Sequence, residues 1–261
     1  MDENGEAISP ERHDIELKQV HFSYGNKEIL NGISFKIPDK TTTAIIGPSG
    51  SGKTTICNLI ARFWDADSGS VKIGGRNIKD YTLESLMDQI SMVFQNVYLF
   101  ADTVENNIKF GKLEATHEEV VEAAKKACCD DFIESLPAGY QTVIGEGGAS
   151  LSGGEKQRIS IARAILKDAP IIIFDEVTAN VDPENEDRLQ KAIEELTKDK
   201  TIIMIAHRLK TVRNADQILV VDHGKIVQKG VHDELIHEQG IYVDFVSGRR
   251  EAIGWKIKTE R

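Results

Sequence analysis

The residues with the clearest chemistry are Gly47-Pro48-Ser49-Gly50-Ser51-Gly52-Lys53-Thr54. Their spacing is G-x-x-x-x-G-K-[ST], the pattern of a phosphate-binding loop. Its glycines let the backbone fold back so that successive amide N–H groups face one point. Those donors, with the positive end of a following helix, attract polyphosphate. Lys53 adds a point charge for the β- and γ-phosphates, and the Thr54 hydroxyl is a ligand for magnesium. Thr55, the next residue, is assigned to the same cradle. The flanks fit the motif: Thr41 to Ile46 is β-branched and apolar, a buried strand. Thr55 to Phe63 is predicted as a helix with Ile56, Leu59, Ile60 and Phe63 on one face. By itself the loop implies only a bound nucleoside triphosphate.

Two further constellations narrow the chemistry. Ile171-Ile172-Ile173-Phe174-Asp175-Glu176 is an apolar strand ending in two carboxylates. Ligands of parallel sheets lie at the C-terminal strand edge. Asp175 is thereby expected beside the phosphate loop, holding magnesium directly or through water. Glu176, one step further, is placed to polarise the water that attacks a γ-phosphate. Leu151-Ser152-Gly153-Gly154-Glu155 opens a helix over 155–166. Ser152 fits an N-cap there, but the glycine pair is costly without a close approach by something. The exposed N–H groups at such a start form an anion site.

The elements that position these groups alternate. Strands are expected over 15–22 (Ile15, Leu17, Val20, Phe22), 29–37, 171–174 and 201–206, with hairpins at 71–78 and 218–228. Helices are expected over 118–129, 131–136, 155–166 (inner face Ile159, Ala162, Ile165, Leu166), 184–196 and 231–237. The fold class is therefore α/β with a mainly parallel central sheet, a β-rich portion around the phosphate loop and an inserted helical lobe. The 261 residues, 40% hydrophobic and 28% charged, suit one large domain with a real core. No apolar run approaches the roughly 20 residues of a membrane span, and the polar start is no signal peptide. A net charge of −10 argues against a broadly basic nucleic-acid surface. Cys57, Cys128 and Cys129 form no C-x-x-C pair, so they are expected as buried or half-buried thiols in a reducing compartment. His21, His223 and His232 are expected to be structural or solvated.

Taken together, these motifs resemble the nucleotide-binding domain of an ABC transporter over about 15–246. The phosphate loop, the signature Leu151 to Glu155 and the carboxylates Asp175-Glu176 stand in that family's order. Gln95, in Val93-Phe94-Gln95-Asn96, matches its Q-loop glutamine; His207, in Ile205-Ala206-His207-Arg208-Leu209, its switch histidine; Asp182 its D-loop aspartate; Tyr24 the aromatic that stacks on adenine. The resemblance implies the ABC ATPase fold, with an antiparallel β subdomain and a helical subdomain of about 96–160. It also implies ATP and Mg2+ as ligands. Lys53, Gln95, Glu176 and His207 would be catalytic, and Thr54, Gln95 and Asp175 would hold the metal. The signature of one subunit would close on ATP held by the other, Ser152 and Gly154 touching its γ-phosphate.

Thr142 to Gly148, Thr103 to Ile108 and Ala206 to Leu209 resemble exporter segments. Residues 1–14 then look like the link from a transmembrane domain missing from this chain, or a terminal tail; 15–247 is the ATPase domain and 248–261 a C-terminal tail. Such a fragment would be soluble, its parent held at the cytoplasmic side of the cell membrane. Glu155 stands where the family usually has glutamine, Gly147 where a basic residue is common, and Ala179 where serine is usual. Glu176 and Ser152-Gly153-Gly154 are intact, which implies a homodimer in the ATP state, a heterodimer being the alternative. No nucleic-acid partner is expected; a soluble ABC ATPase acting on nucleic acid or ribosomes is the competing function, and an ATP-gated dimerisation module without turnover a third.

Overall fold

The computed structural model describes residues 5–145, 150–175, 177, 183–206 and 209–248. Its strands in chain order are β1 (Ile15–Tyr24), β2 (Lys27–Ile37), β3 (Thr42–Ile46), β4 (Ser68–Ile73), β5 (Arg76–Asn77), β6 (Ile90–Phe94), β7 (Asp102–Thr103), β8 (Val143–Ile144), β9 (Ile171–Asp175), β10 (Thr201–Ile205), β11 (Gln217–Asp222) and β12 (Lys225–Gly230). The helices are α1 (Lys53–Ile60), α2 (Leu83–Asp88), α3 (Val104–Lys109), α4 (His117–Lys126), α5 (Asp130–Glu134), α6 (Gly153–Lys167), α7 (Pro183–Thr197), α8 (Leu209–Arg213) and α9 (His232–Leu235). Residues 241–248 are also helical. The chain divides into two compact units, one running to Leu86 and resuming at Thr201, the other from Met87 to Lys200.

In the first unit, β1 pairs antiparallel with both β2 and β4, so that Ile15 faces Ile37 on one side and Ile73 on the other. The apolar positions of β1 change phase between Leu17 and Val20. A bulge explains this: the register shifts there and Gln19 adopts φ 48°, an extra residue that re-aims the strand. The Gln19 amide donates to Ser34 Oγ at 2.8 Å instead of to the ladder. A second sheet region places β3 between β10 and β11, parallel to both. β11 then turns back antiparallel into β12. β3 and β10 are short, apolar and almost wholly buried, as strands covered on both faces must be. Residues 5–14 run against this unit: Glu6 N donates to Asp80 O at 2.8 Å and its carbonyl accepts from Thr82 N at 2.9 Å.

Helix α1 is shorter than the apolar spacing predicts. It ends at Ile60, and Phe63 is exposed rather than part of the inner face. Arg62 N donates to Leu59 O at 3.1 Å and Phe63 N to Asn58 O at 2.9 Å, which is the Schellman arrangement. The left-handed residue it needs is Arg62 (φ 54°), not a glycine. The Arg62 side chain is buried and donates to the carbonyls of Ile78 and Tyr81 at 3.3 and 3.4 Å. Those bonds offset a backbone conformation that costs L-residues about 1–2 kcal/mol.

In the second unit, β6 and β9 are parallel, in register from Ile90↔Ile171 to Phe94↔Asp175. Helix α6 is central and packs on α3, α4, α7 and β6. Its buried face differs from the expected one. Ile159 and Ala162 are buried as predicted, but Ile165 and Leu166 are only half-buried, while Gln157, Arg158, Ser160 and Ile161 are buried. Gln157 Nε2 donates to Phe94 O at 3.1 Å, and the Arg158 guanidinium lies over the Phe132 ring, 5.2 Å from its centroid. Arg163 donates to Asn107 O at 2.8 Å, and Asn107, fully buried, donates to Phe100 O and Thr103 O, both at 3.0 Å. This knits α3, a helix not evident from periodicity, to α6. Cys57 and Cys129 are buried and Cys128 is half-buried; burial pushes the Cys129 thiol up. No described helix is long and apolar enough to cross a membrane.

Candidate functional site

The phosphate loop joins β3 to α1 within the first unit, as its flanks predict. Gly47 must be glycine: at φ 147° a Cβ would lie 1.9 Å from Val221 O. Gly52 is the N-cap of α1 in a left-handed conformation (φ 108°), with no side chain capping the helix and no acidic residue in its first turn. The helix start is therefore left open for an external acceptor. The turn between β11 and β12 supports the loop from behind, Gly224 N donating to Ser51 O at 3.1 Å and Gly224 O accepting from Asn31 N at 3.0 Å. Sequence reasoning assigned that His223-Gly224 turn no role at the loop. The signal available was a glycine in a tight hairpin.

The polar side chains of the loop are arranged unequally. Lys53 Nζ donates to the carbonyls of Gly47 (2.9 Å) and Pro48 (2.8 Å), which folds the lysine back along the loop. Thr54 is exposed and Thr55 buried. Ser51 is 4% exposed, and its Oγ finds no hydrogen-bond partner among the described residues. A buried hydroxyl without a partner is unusual. With the uncapped helix start beside it, this hydroxyl leaves the loop with donors to spare, which suits a polyphosphate. A cleft of ≈ 670 Å3 lies beside it, lined in part by Lys27, Asn31, Ser49 and His223.

Tyr24 ends β1 and is 38% exposed. It stands edge-on to Phe22 (4.8 Å between centroids, 90°) and to Trp64 (5.4 Å, 85°). Trp64, 52% exposed, was not singled out from the sequence. An aromatic Phe63-Trp64 pair at the end of the expected helix, followed by polar residues, was the available signal.

In the second unit, parallel register brings Gln95 and Asp175 to one edge. Asp175 closes β9 opposite Phe94, and Gln95 is the next residue after Phe94, exposed. Both stand at C-terminal strand ends, where parallel sheets place ligands. Ser152 caps α6 in a full capping box: its Oγ accepts from Glu155 N at 3.3 Å, and the Glu155 carboxylate accepts from Ser152 N at 2.7 Å. Glu155, the departure from the usual glutamine, is thus the reciprocal partner of the cap, a role that glutamate and glutamine share. Gly153 is exposed and Gly154 buried at the same start. Of the other predicted residues, Glu176, Asp182 and His207 lie outside the described ones, as do Gly147 and Ala179. His223 is exposed, and His232 Nδ1 lies 2.6 Å from Tyr242 Oη.

The family profile described as "ABC transporter" matches residues 30–179. The chain is 52% identical over 236 residues to the ATP-dependent lipid A-core flippase of Desulfotalea psychrophila, covering 90% of this chain and 41% of that protein. It is 48% identical over 241 residues to the flippase of the same name from Haemophilus influenzae, covering 91% and 41%. The chain thus spans less than half the length of these relatives. Among solved structures it resembles a bacterial Atm1-family ABC exporter with ATP bound, with a TM-score of 0.89 and 40% identity over 94% of this chain and 43% of the other. With the phosphate loop, the capped signature helix and the Asp175 strand in that family's order, the chain belongs to the ABC transporter family and carries its ATPase domain.

Proposed function

We propose that this chain is the ATP-hydrolysing part of an ABC exporter half-transporter, acting with a transmembrane domain at the cytoplasmic face of a membrane. Two copies would join head to tail, each ATP lying between the phosphate loop of one and the signature of the other. The observation that carries this is the likeness to an exporter with ATP bound, which runs through nearly the whole chain. The relatives are named for moving lipid A-core, so an amphiphilic lipid is the corresponding cargo, selected by the transmembrane part. These relatives do not favour the nucleic-acid reading.

The proposed roles follow the chemistry of each group. The amides of Gly47, Pro48, Ser49, Gly50, Ser51 and Gly52, with Lys53, Thr54 and Thr55, hold the phosphates, while Tyr24 stacks on the adenine. Lys53 leaves its loop carbonyls for phosphate oxygens, trading neutral acceptors for charged ones. Ser152, Gly154 and Asp182 act on the nucleotide held by the partner. Glu176 takes the proton of the attacking water, and His207 donates a hydrogen bond to the γ-phosphate. Thr54, Gln95 and Asp175 are the proposed magnesium ligands; the bound ion would neutralise charge on the transferring phosphoryl group.

The test is the solution size of the Glu176→Gln chain with and without ATP, beside wild-type hydrolysis in Mg-ATP. A dimer formed only with ATP and a wild type that turns over are expected. Turnover unchanged by the substitution would overturn the role of Glu176. A monomer throughout would overturn the claim that this chain pairs without its transmembrane part.

A further inference from the structure

The first unit leaves a large apolar side chain half exposed against the ring proposed to receive the base. Trp64 is 52% exposed, just past the end of α1, and its ring lies 5.4 Å from that of Tyr24, nearly perpendicular at 85°. Phe22, buried at 3% exposure, meets Tyr24 on its own account at 4.8 Å and 90°. Phe22 and Trp64 are themselves tilted at 56°, 6.3 Å apart. The tyrosine therefore belongs to a cluster of three rings, in which both of its neighbours stand across its plane. Neither lies parallel on its face, the arrangement a purine would adopt in stacking.

The backbone that presents Trp64 is fixed. Arg62 takes the left-handed turn residue of the helix end, and its guanidinium bonds the carbonyls of Ile78 and Tyr81 from a buried position. Asp67 N donates to His21 O at 2.9 Å, closing the segment onto β1 three residues before Tyr24. Trp64 is thus pinned on both sides in sequence, with its ring against a strand-end side chain that otherwise has only Phe22 as a ring neighbour. Fixing such a ring in advance removes part of the ordering cost of ligand binding.

We infer that Trp64 is a positioning residue for nucleotide binding: it braces the Tyr24 ring in the orientation that receives the base. The inference rests on the reading of Tyr24 as the base-stacking residue. It assigns Trp64 no contact with phosphate and no part in hydrolysis.

The test compares binding of Mg-ATP with that of inorganic tripolyphosphate, which has no base, in the full chain. Trp64→Ala should raise the Kd for ATP about three- to ten-fold and leave the tripolyphosphate Kd unchanged. Combined with Tyr24→Ala it should add nothing beyond Tyr24→Ala alone, and Trp64→Phe should restore most of the affinity. Equal weakening of both ligands, or additivity with Tyr24→Ala, would mean a merely structural residue and overturn the inference. An unchanged ATP Kd in Trp64→Ala beside a raised one in Tyr24→Ala would overturn it and leave the stacking tyrosine standing. Unchanged ATP affinity in both would remove the tyrosine reading itself. A second readout needs no truncation at position 64. The chain has two tryptophans, so Trp255→Phe leaves Trp64 as the sole tryptophan, which can be excited selectively over the tyrosines. Its fluorescence should respond to ATP and not to tripolyphosphate; a response to both or to neither counts against the brace.

Discussion

Two helices of this protein begin in glycine-rich sequence, and they begin differently. Helix α1 starts at Gly52 with no side-chain cap, and α6 starts at Ser152 with both halves of a capping box made. The first start leaves its donors for something outside the chain; the second already has acceptors of its own. Capping contributes about 1 kcal/mol to a helix, so α1 forgoes stability that α6 has. A ligand at α1 meets open groups, whereas one that reaches Ser152 must compete with Glu155. On this view the phosphate loop is the affinity element, and the signature is an element that engages only when a strongly charged acceptor arrives.

The largest effect that would test this contrast is at Lys53. Lys53→Ala should reduce Mg-ATP hydrolysis by about a hundred-fold or more, with the melting temperature little changed. A large loss of stability instead would mean that the bonds to Gly47 and Pro48 serve the fold rather than the ligand. Next in size, Gly52→Ala should destabilise by about 2 kcal/mol, because φ is 108° and the new methyl would lie 2.7 Å from Leu30 Cδ2; denaturant unfolding would show it. Ser152→Ala should cost about 1 kcal/mol, a fall of about 2–4 °C in Tm, together with loss of ATP-dependent pairing. If pairing fails while Tm stays fixed, the cap is not made in solution and the contrast between the helices breaks. The smallest effect is expected from Glu155→Gln, within about 0.5 kcal/mol in either direction, because glutamine completes the same box.

The phosphate loop, its strand and the signature helix were legible because local spacing dictates them. The strand expected over 41–46 and a helix following the loop come from β-branching and loop chemistry alone, although the helix begins at Lys53, two residues before the expected Thr55. The end of α1 was not legible. A helix stop is usually announced by glycine, and here Arg62 occupies the left-handed position, stabilised by carbonyls 16 and 19 residues away. The inner face of α6 was misjudged for a related reason: Gln157 is buried with its amide bonded to Phe94 O and Arg158 with its guanidinium over the Phe132 ring, partnerships that no periodicity in apolar residues can register. The partnership of Tyr24 and Trp64 joins residues 40 positions apart, and only packing discloses it.

The segment ahead of β1 has a mechanical meaning. Glu6 holds Asp80 and Thr82 through its two backbone groups, and Asp14 O accepts from Gly74 N at 2.9 Å. A pull on the chain ahead of Glu6 would load these bonds before it reached the end of β1 that bears Tyr24. Load delivered there would pass first into the β4–β5 hairpin and the turn after it, so that this region would act as an anchor plate ahead of β1.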